Sequence, residues 1–61
     1  MNDKLLFVRE VADRLGRSEA ALRWMMQQGT APKYAKLGGR VVFRESDVDA
    51  FVASAFDEAA V

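Results

Sequence analysis

The sequence predicts a mainly α domain with one β-hairpin, in the order helix, short turn, helix, hairpin, helix. Three observations lead to this. Apolar residues recur at helical spacing over Val8–Leu15 and again over residues 48–56. Only Gly16-Arg17-Ser18 separates the first helical stretch from a second one. Gly38-Gly39 joins two short strand-like runs, and a two-residue Gly-Gly link supplies the positive φ angles of a tight hairpin turn.

Each element follows from its residues. Val8, Val11, Ala12 and Leu15 form the stripe of a two-turn helix over Val8–Leu15, which Gly16 ends. Phe7 is a poor N-cap for it, because its side chain offers no acceptor. Leu5 and Leu6 are expected to pack back onto the core. Ser18 is a good N-cap and Glu19 suits the first turn of the second helix, expected over Glu19–Gln28. Leu22, Met25 and Met26 form its apolar face, Gly29 closes it, and Pro32 prevents a quick restart. The strand-like runs are Tyr34–Leu37 and Arg40–Phe43, with Leu37, Val42 and Phe43 expected to pack on the helices. Ser46 followed by Asp49 resembles a capping box. The third helix is therefore expected over Asp47–Asp57, with fraying at Ala59-Ala60-Val61.

At 61 residues the chain is expected to be one domain, 1–61, with an ordered core of about residues 5–57. A chain of this length buries only about 60% of the surface its unfolded form exposes. It has no cysteine and no histidine, so neither a disulfide nor a zinc site is expected. No run approaches the ~20 apolar residues of a membrane span. Met1-Asn2-Asp3-Lys4 leads into only four apolar residues, which is not a signal peptide. A soluble, cytoplasmic protein is expected.

Nine basic and nine acidic residues give zero net charge. The distribution is uneven. Residues 33–44 carry Lys33, Lys36, Arg40 and Arg44 and no acid; residues 45–61 carry Glu45, Asp47, Asp49, Asp57 and Glu58 and no base. A basic patch can hold phosphate on a neutral molecule.

A short Gly-containing turn between two short helices fits a DNA-binding helix-turn-helix, whose second helix enters the major groove. With Leu22, Met25 and Met26 inward, that helix shows Glu19, Ala20, Arg23, Trp24 and Gln27 outward. Arg pairs bidentately with guanine and Gln with adenine, and a small Ala can touch a thymine methyl. Arg17 and Ser18 sit in the turn where a phosphate would pass. Trp24 has several readings: stacking on sugar, a wedge near the backbone, the edge of the core, or a protein contact. In the hairpin, Lys36, Gly38, Gly39 and Arg40 form a basic tip able to approach phosphate or enter the minor groove. The alternative is a hairpin that only completes the fold. Gly38-Gly39-Arg40 matches neither G-x-G-x-x-G nor a P-loop, and no cofactor is expected. The carboxylates of residues 45–58 fit helix-start charges and a solvated face, so no enzyme is expected.

Two stretches, Leu5–Gly16 and Lys36–Phe51, resemble the excisionase and AlpA-like domains of the MerR superfamily. The pattern there is L-L-T-x-x-E-V-A-x-x-L-G, a variable helix ending in Gly, a Lys/Arg-rich hairpin, then R-x-S-D-L-x-x-[FW]. The likeness runs from about Leu5 to Val52. Phe7 stands where the family has Thr, and Arg23-Trp24-Met25-Met26 replaces a commoner Tyr-Arg-aliphatic-Ile run. The resemblance implies a winged helix-turn-helix that binds double-stranded DNA, with the second helix in the major groove and the wing on the flanking minor groove or backbone. It implies a phage or mobile-element excisionase that bends attachment-site DNA and directs an integrase toward excision, or a small transcription regulator. The long dimerising coiled coil and effector domain of MerR regulators proper are not expected in these residues. Further copies in tandem on DNA are expected, because one small module buries little DNA surface. A protein adaptor using Trp24 and the Met pair is the alternative from another class.

Overall fold

The computed structural model describes residues 3–59. Among them the order is β1 (Leu5–Phe7), α1 (Val8–Leu15), α2 (Glu19–Gln28), β2 (Ala35–Leu37), β3 (Arg40–Arg44) and α3 (Glu45–Ala59). The architecture is mainly α with a β-hairpin wing, a winged helix-turn-helix.

α1 and α2 occupy their expected ranges. The turn between them is built from paired caps. Gly16 takes φ 66°, and the N–H groups of Gly16 and Arg17 donate to the Asp13 and Ala12 carbonyls. This closes α1 as a Schellman motif and turns the chain sharply. Ser18 Oγ then accepts from Ala21 N–H at 3.1 Å and starts α2. The end of α2 repeats the motif at Gly29, with Thr30 N–H on the Met25 carbonyl. At the start of α1, Phe7 supplies no side-chain acceptor, but the Glu10 carboxylate accepts from Phe7 N–H at 3.3 Å. Half of a capping box is therefore present.

The hairpin pairs Lys36 with Val41 and Leu37 with Arg40. Gly38 and Gly39 have φ 58° and 84°, the two positive angles of a type I′ turn. Leu5–Phe7 is itself a strand, where only packing of Leu5 and Leu6 was expected. It pairs antiparallel with β3, Leu6 opposite Phe43, giving a sheet in the order β1-β3-β2. Alternation then sends Leu6 inward, fully buried, and leaves Leu5 45% exposed. Phe43 shares the inner face with Leu6 and is fully buried, as expected. Leu37 and Val42, expected against the helices, lie on the outer face, where Leu37 is 55% exposed and Val42, opposite Ala35 and Phe7, is buried.

The core is Leu6, Val8, Val11, Ala12, Leu22, Phe43 and Val48, with Leu15, Met26, Ala31 and Val41 packed against it. α3 starts at Glu45 rather than Asp47. Ser46 lies inside it and is not its cap. Its hydroxyl donates to Asp3 Oδ2 at 2.6 Å, its N–H donates to Asp3 Oδ1 at 3.1 Å, and Glu45 N–H donates to the Lys4 carbonyl at 2.8 Å. Two of the first-turn N–H donors of α3, those of Glu45 and Ser46, are thus satisfied by the residues just before β1. Arg14 of α1 also reaches Glu45 at 2.8 Å. Along α3 the apolar stripe leaves the core: Val48 is buried, Phe51 and Val52 are half-buried, and Phe56 is 71% exposed. The helix extends to Ala59; the fraying expected at Ala60 and Val61 falls outside the described residues.

Candidate nucleic-acid interface

The outward face of α2 is set by its inward one. Leu22 is fully buried and Met25 and Met26 are half-buried. Ala20, Arg23, Trp24 and Gln27 therefore fall on one exposed stripe at i, i+3, i+4 and i+7. Trp24 stands 60% exposed on this stripe, away from the core. Ser18 is occupied as the α2 cap.

The wing tip lies across from the start of α2. A cleft of about 460 Å³ opens between them, lined by Phe7, Val8, Arg9, Glu19, Arg23, Lys36, Gly39, Arg40 and Val41. Four of these residues are basic and Glu19 is the only acid, so the cleft carries a net charge of +3. At its rim the Arg40 guanidinium carbon sits 4.1 Å from the centre of the Phe7 ring, a cation–π contact. Among the described residues no carboxylate bonds to Arg40, leaving its N–H groups available.

The structure thus brings Glu19, Arg23, Lys36, Gly39 and Arg40 together around one cleft, with Gly38 in the adjoining turn. It places other predicted residues elsewhere. Lys33 lines a separate, mostly apolar groove on the outer side of the sheet with Leu5, Tyr34, Leu37, Val42 and Arg44. Arg44 is tied to Asp47, Nε to Oδ2 at 2.7 Å and Nη2 to Oδ1 at 3.2 Å. That bidentate hydrogen bonding, and then the carboxylate's charge, raise the guanidinium pKa further above its ordinary value. Arg17 lines a third groove, with Met25, Val52 and Phe56.

Arg9 is a lining residue that the sequence reading did not single out. It lies on α1, outside the inward stripe of Val8, Val11, Ala12 and Leu15. Helical spacing marks it as outward, but only the position of the wing shows which side it faces. Phe7 was noted only as a poor cap; its ring is the seat of Arg40.

Near the base of the wing, the Asp3 carboxyl is held below its usual pKa, first by the Ser46 hydroxyl, then by Ser46 N–H, with a smaller contribution from Arg44. Among the described residues no group of side chains could hold a metal ion, and no helix is long and apolar enough to cross a membrane. The family model described as "Helix-turn-helix domain" matches residues 5–55. No curated protein and no solved structure matches the chain.

Proposed function

The chain belongs to the helix-turn-helix domain family, and from that premise we propose that it is a non-catalytic architectural DNA-binding protein of the excisionase type. α2 lies in the major groove. Arg23 and Gln27 read base edges, Glu19 and Ala20 approach them, and Trp24 meets the sugar or backbone on the far side from the wing. Lys36, Gly38, Gly39 and Arg40 follow the flanking minor groove or backbone. Arg17, Ser18, Lys33 and Arg44 are outer contacts that a deformed duplex would reach. The observation that carries this reading is the cleft in which Arg23 of α2 and Lys36 and Arg40 of the wing face one space.

The dimensions support it. A helix with its side chains is about 10–12 Å across, and the major groove is about 12 Å wide. An excisionase has to bend its site. Bending 20–30 base pairs by 40–90° costs on the order of 1–6 kcal/mol, which one small module does not readily offset. Several copies in tandem, each adding a partial bend, would do so. The exposed Phe56 with Asp57 and Glu58 on α3 would face the basic hairpin of the next copy, and an integrase would join the assembly. The setting is the cytoplasm of a bacterial cell, on the nucleoid.

A circular-permutation gel on a natural site, with a titration counting bound copies, tests this. Several copies on bent DNA are expected. One copy on straight DNA would overturn the architectural role in favour of a small transcription regulator of the AlpA type. No shift of random duplex at low salt would overturn DNA binding itself and favour an adaptor built on Trp24 and the Met pair.

A further inference from the structure

The two parts of a winged reader occupy neighbouring grooves of the duplex. Neighbouring grooves are separated by one sugar–phosphate strand. A side chain on a wall of the protein cleft that belongs to neither the reading helix nor the wing therefore faces phosphate rather than base. Here that cleft lies between Glu19 and Arg23 on one wall and Lys36, Gly39 and Arg40 on the other. Its remaining wall is the β1–α1 junction, which contributes Phe7, Val8 and Arg9.

We propose that this cleft seats one phosphodiester strand of the duplex, with the Arg9 guanidinium as a phosphate contact and Phe7 as the residue positioning Arg40 at the rim. The proposal rests on the DNA-binding reading above and adds to it a contact from α1.

Three features of the molecule support it. First, the whole chain is neutral, so attraction to a polyanion has to come from a local concentration of charge, and the cleft is where four cations meet a single carboxylate. Second, Gly39 at the lip has no side chain, and a Cβ placed there would meet nothing within 4 Å; the wing backbone is open to close approach by a strand. Third, Arg40 is held by an aromatic face instead of a carboxylate. A ring restrains the flexible side chain while leaving its charge unneutralised and its N–H groups unused. A carboxylate at the same place would also restrain it, but would cancel the charge and occupy the donors. The Phe at position 7 is thus a poor cap for α1 and a good seat for the wing tip.

The test is binding of the full chain to random-sequence duplex, followed by anisotropy across a range of KCl, with circular dichroism melts reporting the fold. Arg9→Gln is expected to make the slope of log K against log salt shallower by about 0.9, which at 0.1 M salt is roughly an eightfold loss of affinity. Arg9→Lys is expected to restore the slope, since a phosphate contact needs charge rather than a planar fork. Phe7→Leu is expected to weaken binding in the parent but not in an Arg40→Gln background, whereas Phe7→Tyr keeps the ring and retains affinity. An unchanged slope for Arg9→Gln in a protein that binds duplex would overturn the Arg9 contact. Equal losses from Phe7→Leu with and without Arg40 would overturn the positioning role, and so would loss of affinity in a folded Phe7→Tyr. Failure of the parent protein to bind any duplex would instead defeat the DNA-binding reading.

Discussion

The tip and the base of the wing carry the same charge and use it differently. Lys36 and Arg40 flank the turn and open onto the cleft beside α2. Lys33 and Arg44 sit at the other end, on a groove facing away from it. All four come from one stretch without a single acid. The separation arises from what each end abuts. At the tip β3 runs into a free turn, and the nearest partner for Arg40 is the Phe7 ring. At the base β3 runs straight into α3, whose first turn offers Asp47 to Arg44, while Asp3 lies close enough to act on the same guanidinium. A cation near a helix start with its own acidic residues becomes a structural tie; one at a hairpin tip stays available. A run of positive charge in sequence is therefore not one patch in space.

The largest expected effect tests the tip. Replacing Lys36 and Arg40 together by Ala removes the two proposed phosphate contacts. The salt slope should become shallower by about 1.8, and affinity at 0.1 M salt should fall roughly sixtyfold for every duplex sequence alike. Next comes α2, the proposed reading helix. Arg23→Ala and Gln27→Ala should each cost about 1–3 kcal/mol against the preferred site and clearly less on random duplex. Equal losses on both duplexes would remove α2 from base reading and leave the cleft as a backbone site alone.

A smaller effect is expected at the base. Lys33→Ala with Arg44→Ala should change the salt slope by well under that of the tip pair, while Arg44→Ala alone lowers the melting temperature by loosening the β3–α3 junction. A slope change as large as at the tip would erase the contrast between the two ends. The smallest effect is in acid. Because the folded-state pKa of Asp3 lies below its ordinary value of 3.8, its contribution is present above that value and is lost as pH falls through the depressed one. Asp3→Asn should therefore melt lower than the parent near neutral pH, with the gap closing below about pH 4. A gap that persists there would assign the effect to the amide rather than to the lost charge.

The elements that local chemistry specifies are the ones legible in the sequence. α1 and α2 are bounded by Gly16, Ser18 and Gly29, each acting on residues within one turn. The hairpin turn is fixed by its two glycines. What was missed depends on contacts between distant parts of the chain. Leu5-Leu6-Phe7 is too short to show alternation and merges into a helical stripe; only β3 makes it a strand. Ser46 has the composition of a cap, but its hydroxyl donates to Asp3 instead of accepting from its own helix, so the start of α3 shifts to Glu45. The same limit applied to the cleft. Outward residues of α2 and the wing can be read from periodicity, whereas Arg9 and Phe7 join them only because β1 pins the start of α1 beside the wing tip. Lys33 and Arg44 were separated from the tip by the hairpin's own geometry, which charge counting does not contain.

The strand that ties Leu5–Phe7 to β3 also sets an order in time. Leu5 pairs with Arg44, and Asp3 completes the first turn of α3 through Ser46. Both are late-arriving partners for a chain made from its N-terminus. The caps of α1 and α2 and the hairpin turn close over a few residues each, and such local closures are fast. The strap closes a loop spanning most of the described chain, at an entropic cost that grows with the logarithm of its length. The Phe7 ring reaches Arg40 only when that closure is made. A nascent chain would hold α2 and the hairpin early, as two unconnected pieces, and the cleft between them would come into being in the last step of folding.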